Sequence, residues 1–474
     1  MDKLPYSVYF INFTGAENLF NVFYALYPPL GMAYIAAVIK NKVRETAIID
    51  APAMNYQISN ILKIIAEKKP DFIGMTVFTA QVNSAIRLCG YIKAVSPETK
   101  TVLGGPHAFF MHEQIMTNSH SIDYCLRGEG EYAFRELLET LNSRQNLENV
   151  KGLTFRRGKD IVANPERPLI KNLDDIPFPA RELLPNEKYR AVMALGGRKK
   201  FTSMVVSRGC PFACTFCDSA ARWKQTIRFR SVDNVIGEMV EVKNKYGVKY
   251  IRFGDDLFTY NKNWVKEFHD KYHKNKLKIQ WACDARVEMV NPEMLRMMKA
   301  SGYNALFYGI EFGNEKIRLL TGKKFSNDRI RYAVDIAKKA RIPVYGLFMM
   351  GYPGEDKNTI RETINMSFNL GLDWAGFSIV APLPGTALYK YCEDNNLLKS
   401  HNWSDFSTKA TPVLKHDKLT DKEILNLWVS WQRKFYLRPK YILKRLFKLR
   451  SIKDFYFAFR FVIESIKNKI KANA

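Results

Sequence analysis

Phe201–Cys217 reads FTSMVVSRGCPFACTFC: a β-type run, Thr202 to Ser207, followed at once by Cys210, Cys214 and Cys217 in a C-x3-C-x2-C loop. Thiolates suit iron–sulfur clusters. Three on one loop can ligate three irons of a cubane and leave the fourth iron without a protein ligand, which is where chemistry becomes possible. The alternative is a zinc site closed by three cysteines and a histidine, although no histidine lies near the loop. Spacing alone leaves both open, and the pattern around the loop favours the cluster. Of the other four cysteines, Cys89, Cys125 and Cys392 read as small buried hydrophobes. Cys283 follows Trp281 at a strand end and reads as core, with a cavity-facing thiol as the alternative.

Outward from the loop, six β-type runs alternate with helical segments: Thr202 to Ser207, Tyr250 to Asp255, Ile279 to Asp284, Ala305 to Glu311, Val344 to Met350 and Ala375 to Val380. Ser231 is the expected N-cap of a helix that Gly247 ends near Tyr246. Successive βα units predict a partial (β/α)6 barrel over 196–395, with its site at the C-terminal ends of the strands. Tyr303, Phe307 and Tyr308 are candidates for lining a cavity, with core packing as the alternative.

The first 145 residues also alternate, with strands expected at Ser7 to Phe13, Thr46 to Asp50, Asp71 to Phe78, Thr101 to Gly105 and Ile122 to Arg127. Helices are expected at Pro29 to Lys40, Ser59 to Lys68, Gln81 to Val95 and Glu131 to Asn142. The fold class is α/β throughout, and 1–145 reads as a doubly wound, Rossmann-like domain. In such a sheet ligands bind beyond the carboxyl ends of the strands. There strand three runs into Gly74, Thr76 and Thr79, strand four into Gly104, Gly105, Pro106 and His107, and strand five into Gly128, Glu129 and Gly130. Adjacent glycines let a backbone approach a bulky ligand, and they also serve a tight turn. No G-x-G-x-x-G follows the first strand, which disfavours a dinucleotide. Pro165, Pro168, Pro177, Pro179 and Pro185 mark 146–195 as a linker, with room for a β-hairpin before them.

The net charge of +26 over 474 residues is uneven. Arg433 to Lys471 holds thirteen Lys or Arg against Asp454 and Glu464, a net +11, so 396–474 reads as a basic helical region. A helix there would present Tyr441, Leu446, Phe447, Phe455, Phe459 and Val462 to an apolar partner. That partner is either the barrel itself or an anionic membrane surface. No nucleic-acid module is recognisable, so nucleic acid is not an expected partner. Seven cysteines, three of them clustered rather than evenly spaced, and an N-terminus without signal-peptide features predict a reducing cytoplasm, with the basic tail allowing a peripheral position at the inner membrane.

With these residues in order behind the cysteine loop, Phe201 to Tyr391 resembles the radical S-adenosylmethionine superfamily. The resemblance implies that the open iron of a [4Fe-4S] cluster binds S-adenosylmethionine, whose reductive cleavage yields methionine and a hydrogen-abstracting 5′-deoxyadenosyl radical. It implies that Phe216 lies near adenine, Gly254, Asp255 and Asp256 receive the methionyl amino group, and Glu311 meets the ribose. Gly351 and Gly354 in GLFMMGYPGE then belong to an adenine-binding strand end, and Arg286 is a candidate for the methionyl carboxylate. Taken singly, these residues also read as turns, a solvated glutamate and a helix cap.

The LGGPHA and RGEGE segments make the first domain similar to the cobalamin-binding domain of the cobalamin-dependent branch of that superfamily. No histidine stands in a D-x-H-x-x-G context, which implies that none coordinates cobalt from below. The expected activity is methylation of an unactivated carbon of a small-molecule or lipid-like substrate, with a flavodoxin or ferredoxin as electron donor. A cyclisation or rearrangement with the same cofactors, and a non-catalytic corrinoid or iron–sulfur sensor, are the alternatives.

Overall fold

The computed structural model describes residues 3–13, 26–191, 199–407 and 412–446. Fifteen strands form three sheets among these residues. Strands β1 (Leu4–Asn12), β2 (Val43–Asp50), β3 (Phe72–Thr76), β4 (Lys100–Gly104) and β5 (Tyr124–Leu126) are parallel, in the order β2-β1-β3-β4-β5. Their apolar runs are buried on both faces, as parallel strands under crossover helices require. The expected hairpin exists as β6 (Leu153–Arg157) and β7 (Asp160–Ala163), but it joins the first sheet by pairing antiparallel with β5. Leu126 faces Leu153 there, so the hairpin covers an edge that would otherwise expose unpaired backbone.

The second sheet is wholly parallel and runs β8 (Phe201–Met204), β11 (Tyr250–Phe253), β12 (Gln280–Ala285), β13 (Tyr303–Glu311), β14 (Val344–Met350), β15 (Trp374–Ile379). Between β8 and β11 lies a separate antiparallel ribbon, β9 (Ser207–Gly209) with β10 (Ile227–Phe229), which carries the cysteine loop. The expected run Thr202 to Ser207 therefore divides: the barrel strand stops at Met204, and Ser207 begins the ribbon. Helix Val232–Tyr246 starts and stops as expected, with Ser231 Oγ accepting from Asn234 N and Gly247 at φ 65°. Helix Pro106–Asn118 was not foreseen. Gly105 caps it and Pro106 opens it, so a motif that reads as a turn is also a helix start.

Alternate side chains of the barrel strands belong to different cores. Ile251, Phe253, Trp281, Leu306, Tyr308 and Phe348 pack outward under the helices. Phe201, Tyr250, Ala282, Ala305 and Tyr345 point inward, in one cluster with Phe10, Phe134 and Tyr189. The proline-rich segment thus plugs the barrel floor. It is held by a buried ion triad, Arg181 and Arg230 on Glu238 at 2.6 and 2.5 Å. Burial of Glu238 opposes its ionisation, and the two guanidiniums overcome this and hold its pKa below the ordinary value.

Among the described residues strand β15 has no second strand neighbour, and helix Asp421–Tyr436 covers it. Trp428 Nε1 donates to Phe377 O at 3.0 Å and the Tyr436 hydroxyl to Ala375 O, which satisfies edge carbonyls that a closed barrel would pair. Helix Pro439–Leu446 follows, and Tyr441 packs on Phe435 and Tyr436. The side chain of Leu446, and Phe447, Phe455, Phe459 and Val462, lie outside the described residues.

Candidate active site at the barrel mouth

Asp255 sets the approach to the cysteine loop. Its Oδ1 accepts from Val206 N at 2.8 Å, Ser207 N and Ser207 Oγ at 2.9 Å, which turns the chain from β8 into β9. Its other oxygen has no partner, and full burial pushes its pKa up to about 7. Gly209 stands at φ 101°, where a Cβ would lie 2.1 Å from Thr226 O, so a side chain directly before Cys210 does not fit. Within the loop, Cys217 N donates to Cys214 O at 3.0 Å. Thr215 N donates to Thr321 O, Leu388 N to Thr215 O, and Thr215 Oγ1 lies 2.9 Å from the Tyr352 hydroxyl. Gly322, at φ 82°, would bring a Cβ to 3.1 Å from Ala213 O. Turns from two distant elements and a helix start therefore pin one short loop.

Burial raises the Cys210 thiol and pushes Cys217 up to about 12. A bound cation reverses that, because a coordinating thiol is deprotonated outright. A cubane sets each thiolate on a different iron, and three thiols on one rigid loop fit that requirement.

Around the loop the structure gathers most of the residues singled out for S-adenosylmethionine. Gly254 is exposed at the end of β11, and Asp256 Oδ2 accepts from Ser219 Oγ at 2.5 Å. Arg286 lies 3.8 Å above the Phe212 ring, with Nη1 3.5 Å from Cys214 Sγ and Nε bonded to Glu288 at 2.7 Å. Glu311 sits at φ 64°, at a register shift in β13, a backbone state that costs a non-glycine residue about 1–3 kcal/mol. Lys323 is bound 2.7 Å from both Glu311 Oε1 and Gly309 O, and its ammonium lies 5.9 Å from the Phe216 ring centre. Gly351 and Gly354, at φ 84° and 90°, fold their loop over Glu355, whose Oε2 accepts from Gly351 N and Tyr352 N at 2.7 and 3.0 Å. Glu355 is 2% exposed, its Oε1 has no partner, and burial pushes it up to about 8.

At the ligand end of the first sheet the order β2-β1-β3-β4-β5 puts the switch point between β1 and β3. The β2 side is closed by Asp50, which accepts from the Tyr189 hydroxyl at 2.5 Å and from Asn12 at 2.9 Å. The loops after β3, β4 and β5 remain. Gly105, at φ 95°, would place a Cβ 2.7 Å from Thr76 Cγ2 and 3.0 Å from Val77 N. Gly104 would meet only Leu126 O at 3.6 Å, and Phe78 beside it is exposed. Pro106 opens the helix behind them. His107 is buried, its Nδ1 3.2 Å from Thr79 Oγ1 and its ring edge-on to Trp403 at 5.0 Å. Its Nε2 is unpartnered, and burial lowers its pKa to about 4.

Two further glycines, like Gly105, are required by packing: a Cβ on Gly74 would meet the Phe10 ring at 2.7 Å, and one on Gly130 would meet Ile35 at 2.8 Å. Gly128, at φ 85°, has nothing within 4 Å of a Cβ, and the Glu129 carboxylate bonds Arg208 and Arg228 of the ribbon. The open space beside Gly104, the exposed Phe78 and the buried imidazole nitrogen, which has no partner among the described residues, fit a large ligand lying on these loops.

Residues 204–367 match the family model of the radical SAM superfamily, and residues 19–138 that of the B12 binding domain. An uncharacterised methyltransferase of Pyrococcus horikoshii is 35% identical over 421 residues, covering 89% of this chain and 90% of that protein. The chain belongs to the cobalamin-binding radical S-adenosylmethionine family. The anaerobic magnesium-protoporphyrin IX monomethyl ester cyclase of Cereibacter sphaeroides is 28% identical over 420 residues, 87% of this chain and 67% of that one. The solved structure of the cobalamin-dependent S-adenosylmethionine radical enzyme OxsB, with aqua-cobalamin and S-adenosylmethionine bound, matches with a TM-score of 0.75 over 97% of this chain and 71% of that chain. At 16% identity this is a likeness of fold. This family enzyme's cofactors are accordingly a [4Fe-4S] cluster, S-adenosylmethionine and cobalamin.

The family enzyme's barrel lumen follows from the alternation of its strands. Arg252 pairs with Asp284 at 2.6 Å and stacks 4.5 Å above Phe307, which stacks in turn on Tyr345 at 4.5 Å. Above this ladder Leu347 is 40% exposed and the Asp284 side chain 38%. Of the three aromatics flagged in the sequence, Phe307 faces the lumen, whereas Tyr303 and Tyr308 pack outward. Cys283 is fully buried in the outer core, and Cys89, Cys125 and Cys392 are buried as expected.

Sequence reading missed Gly209, Gly322, Lys323 and Glu355. For Glu355 a signal existed, since it ends the glycine-rich segment. For Lys323, among the 73 Lys and Arg, there was none.

Proposed function

We propose that this enzyme methylates an unactivated carbon of a small, largely apolar substrate held in the barrel lumen. The observation that carries the reading is the packing of the loop after β5, at the ligand end of the first sheet, directly on the ribbon that bears Cys210. Bound at these two places, the cluster with S-adenosylmethionine supplies a radical and cobalamin a transferable methyl group. The chain's own residues do the rest. Cys210, Cys214 and Cys217 hold the cluster. Phe216, Gly254, Asp255, Asp256, Arg286, Glu311, Gly351 and Gly354 surround S-adenosylmethionine, Asp255 by fixing the loop. Gly104, Gly105, Pro106, Thr76, Thr79 and His107 lie under the corrinoid, with Gly74, Gly128, Glu129 and Gly130 shaping the loops. Leu347 supports an apolar substrate by its exposure in the lumen.

A small flavodoxin or ferredoxin is the proposed electron donor, since a net charge of +26 favours acidic partners. Among the described residues no helix is long and apolar enough to cross a membrane. We place the enzyme in the cytoplasm, with the basic C-terminal region touching anionic lipid. Exposed Leu437, Ile442 and Leu443 support that contact.

Cyclisation is the second reading, favoured by the Cereibacter relative. Anaerobic turnover with S-adenosylmethionine labelled in its methyl group separates the two. Methylation predicts label in the product together with unlabelled 5′-deoxyadenosine. A product that gains no label, formed alongside 5′-deoxyadenosine, would replace methylation with cyclisation or rearrangement.

A further inference from the structure

The glutamates of Arg127–Glu131, RGEGE, bind two arginines of the ribbon that carries the cysteine loop. Arg208 and Arg228 stand opposite each other across the β9–β10 ribbon, and directly opposed like charges destabilise a strand pair. Glu129 relieves this: Oε1 binds Arg208 Nη1 at 2.7 Å, while Oε2 binds Arg228 Nη1 at 2.9 Å and accepts from Ile170 N at 2.6 Å. Glu131 Oε1 binds Arg208 Nη2 at 2.5 Å. The two carboxylate side chains are 2% and 6% exposed. Two cations and two anions thus form a neutral buried cluster, in which loss of one partner strands an uncompensated charge.

This cluster spans both domains at sensitive places. On one side Glu129 lies between Gly128 and Gly130 in the loop that ends β5. On the other, Arg208 is followed by Gly209, whose backbone is pressed against Thr226, and then by Cys210. A shift of the ribbon therefore moves the first cluster ligand.

We infer, resting on the corrinoid placement proposed above, that this four-residue ion cluster couples the two cofactor sites energetically. Order imposed on the β5 loop by a corrinoid passes to the ribbon that presents Cys210, and order imposed by the iron–sulfur cluster passes back. Such coupling is reciprocal. Arg208 is a positioning residue, touching neither cofactor.

The test uses the full chain with hydroxocobalamin as probe, titrated by visible absorption into protein with reconstituted cluster and into iron-free protein. In the wild type the cluster should tighten corrinoid binding about fivefold or more. In Arg208→Gln the ratio of the two affinities should fall to about one, and Arg208→Lys should restore part of it. A ratio near one in the wild type, or an undiminished ratio in Arg208→Gln, overturns the coupling. If neither form binds corrinoid, the corrinoid placement fails, and hydrogen exchange decides the rest. The Glu129→Gln/Glu131→Gln variant should then speed exchange across residues 207–229 and retain less iron. Unchanged exchange and iron content would overturn the coupling on that evidence too.

Discussion

The cysteine loop and the loops at the ligand end of the first sheet are built by opposite means. At the cysteine loop the chemistry lies in side chains, and the backbone is braced from outside by Thr321, Leu388, Tyr352 and Asp255. At the first sheet the loops are shaped by missing side chains, with Gly105 closing on Thr76 and Val77, while the two glutamates of its motif, Glu129 and Glu131, face the other domain. Thiolates announce themselves by type and spacing. A backbone cradle leaves only glycines, which turns use as freely.

Two substitutions should break the comparison from either side. Cys214→Ala has the largest expected effect: loss of the cluster and of 5′-deoxyadenosine formation to background, measured by iron content and anaerobic turnover, with corrinoid still bound at saturation. Gly105→Val should do the reverse. A Cβ at φ 95° that meets Thr76 and the Val77 backbone should cost about 1–3 kcal/mol and lower corrinoid affinity at least about tenfold, with iron content retained.

A smaller effect sharpens the account of the bracing. Glu355 keeps its proton up to about pH 8 when folded, whereas in the unfolded chain it loses it near its ordinary value of 4.5. Its contribution to stability is therefore full below pH 4.5 and is lost as pH rises toward 8. Glu355→Gln should flatten that decline by up to about 1–3 kcal/mol between pH 5 and 8, read as melting temperature against pH in cofactor-free protein. Asp255, raised to about 7, adds a decline of the same sign to both proteins.

Legibility in the sequence followed the range of the interactions. Strand β14 runs Val344–Met350 as expected, because a parallel strand buried on both faces is a continuous apolar run. Gly209, Gly322 and Lys323 owe their roles to Thr226, Ala213 and Glu311, and neither composition nor period carries such pairings. Helix Pro106–Asn118 was hidden by its opening glycines and by a kink at Met111 that breaks its period. The ion pairs of Glu129 were not legible either, because Arg208 and Arg228, which bind it, lie 79 and 99 residues away.

Iron and cobalt analysis of anaerobically reconstituted wild type, Cys214→Ala and Gly105→Val, side by side at saturating hydroxocobalamin, tests the central claim of two cofactor sites built differently in one enzyme. The wild type should hold about four iron and about one corrinoid per chain, Cys214→Ala corrinoid without the cluster, and Gly105→Val the cluster with corrinoid clearly below the wild-type amount. A wild type that binds the cluster but no corrinoid, or variants that lose both cofactors together while still folded, would contradict it.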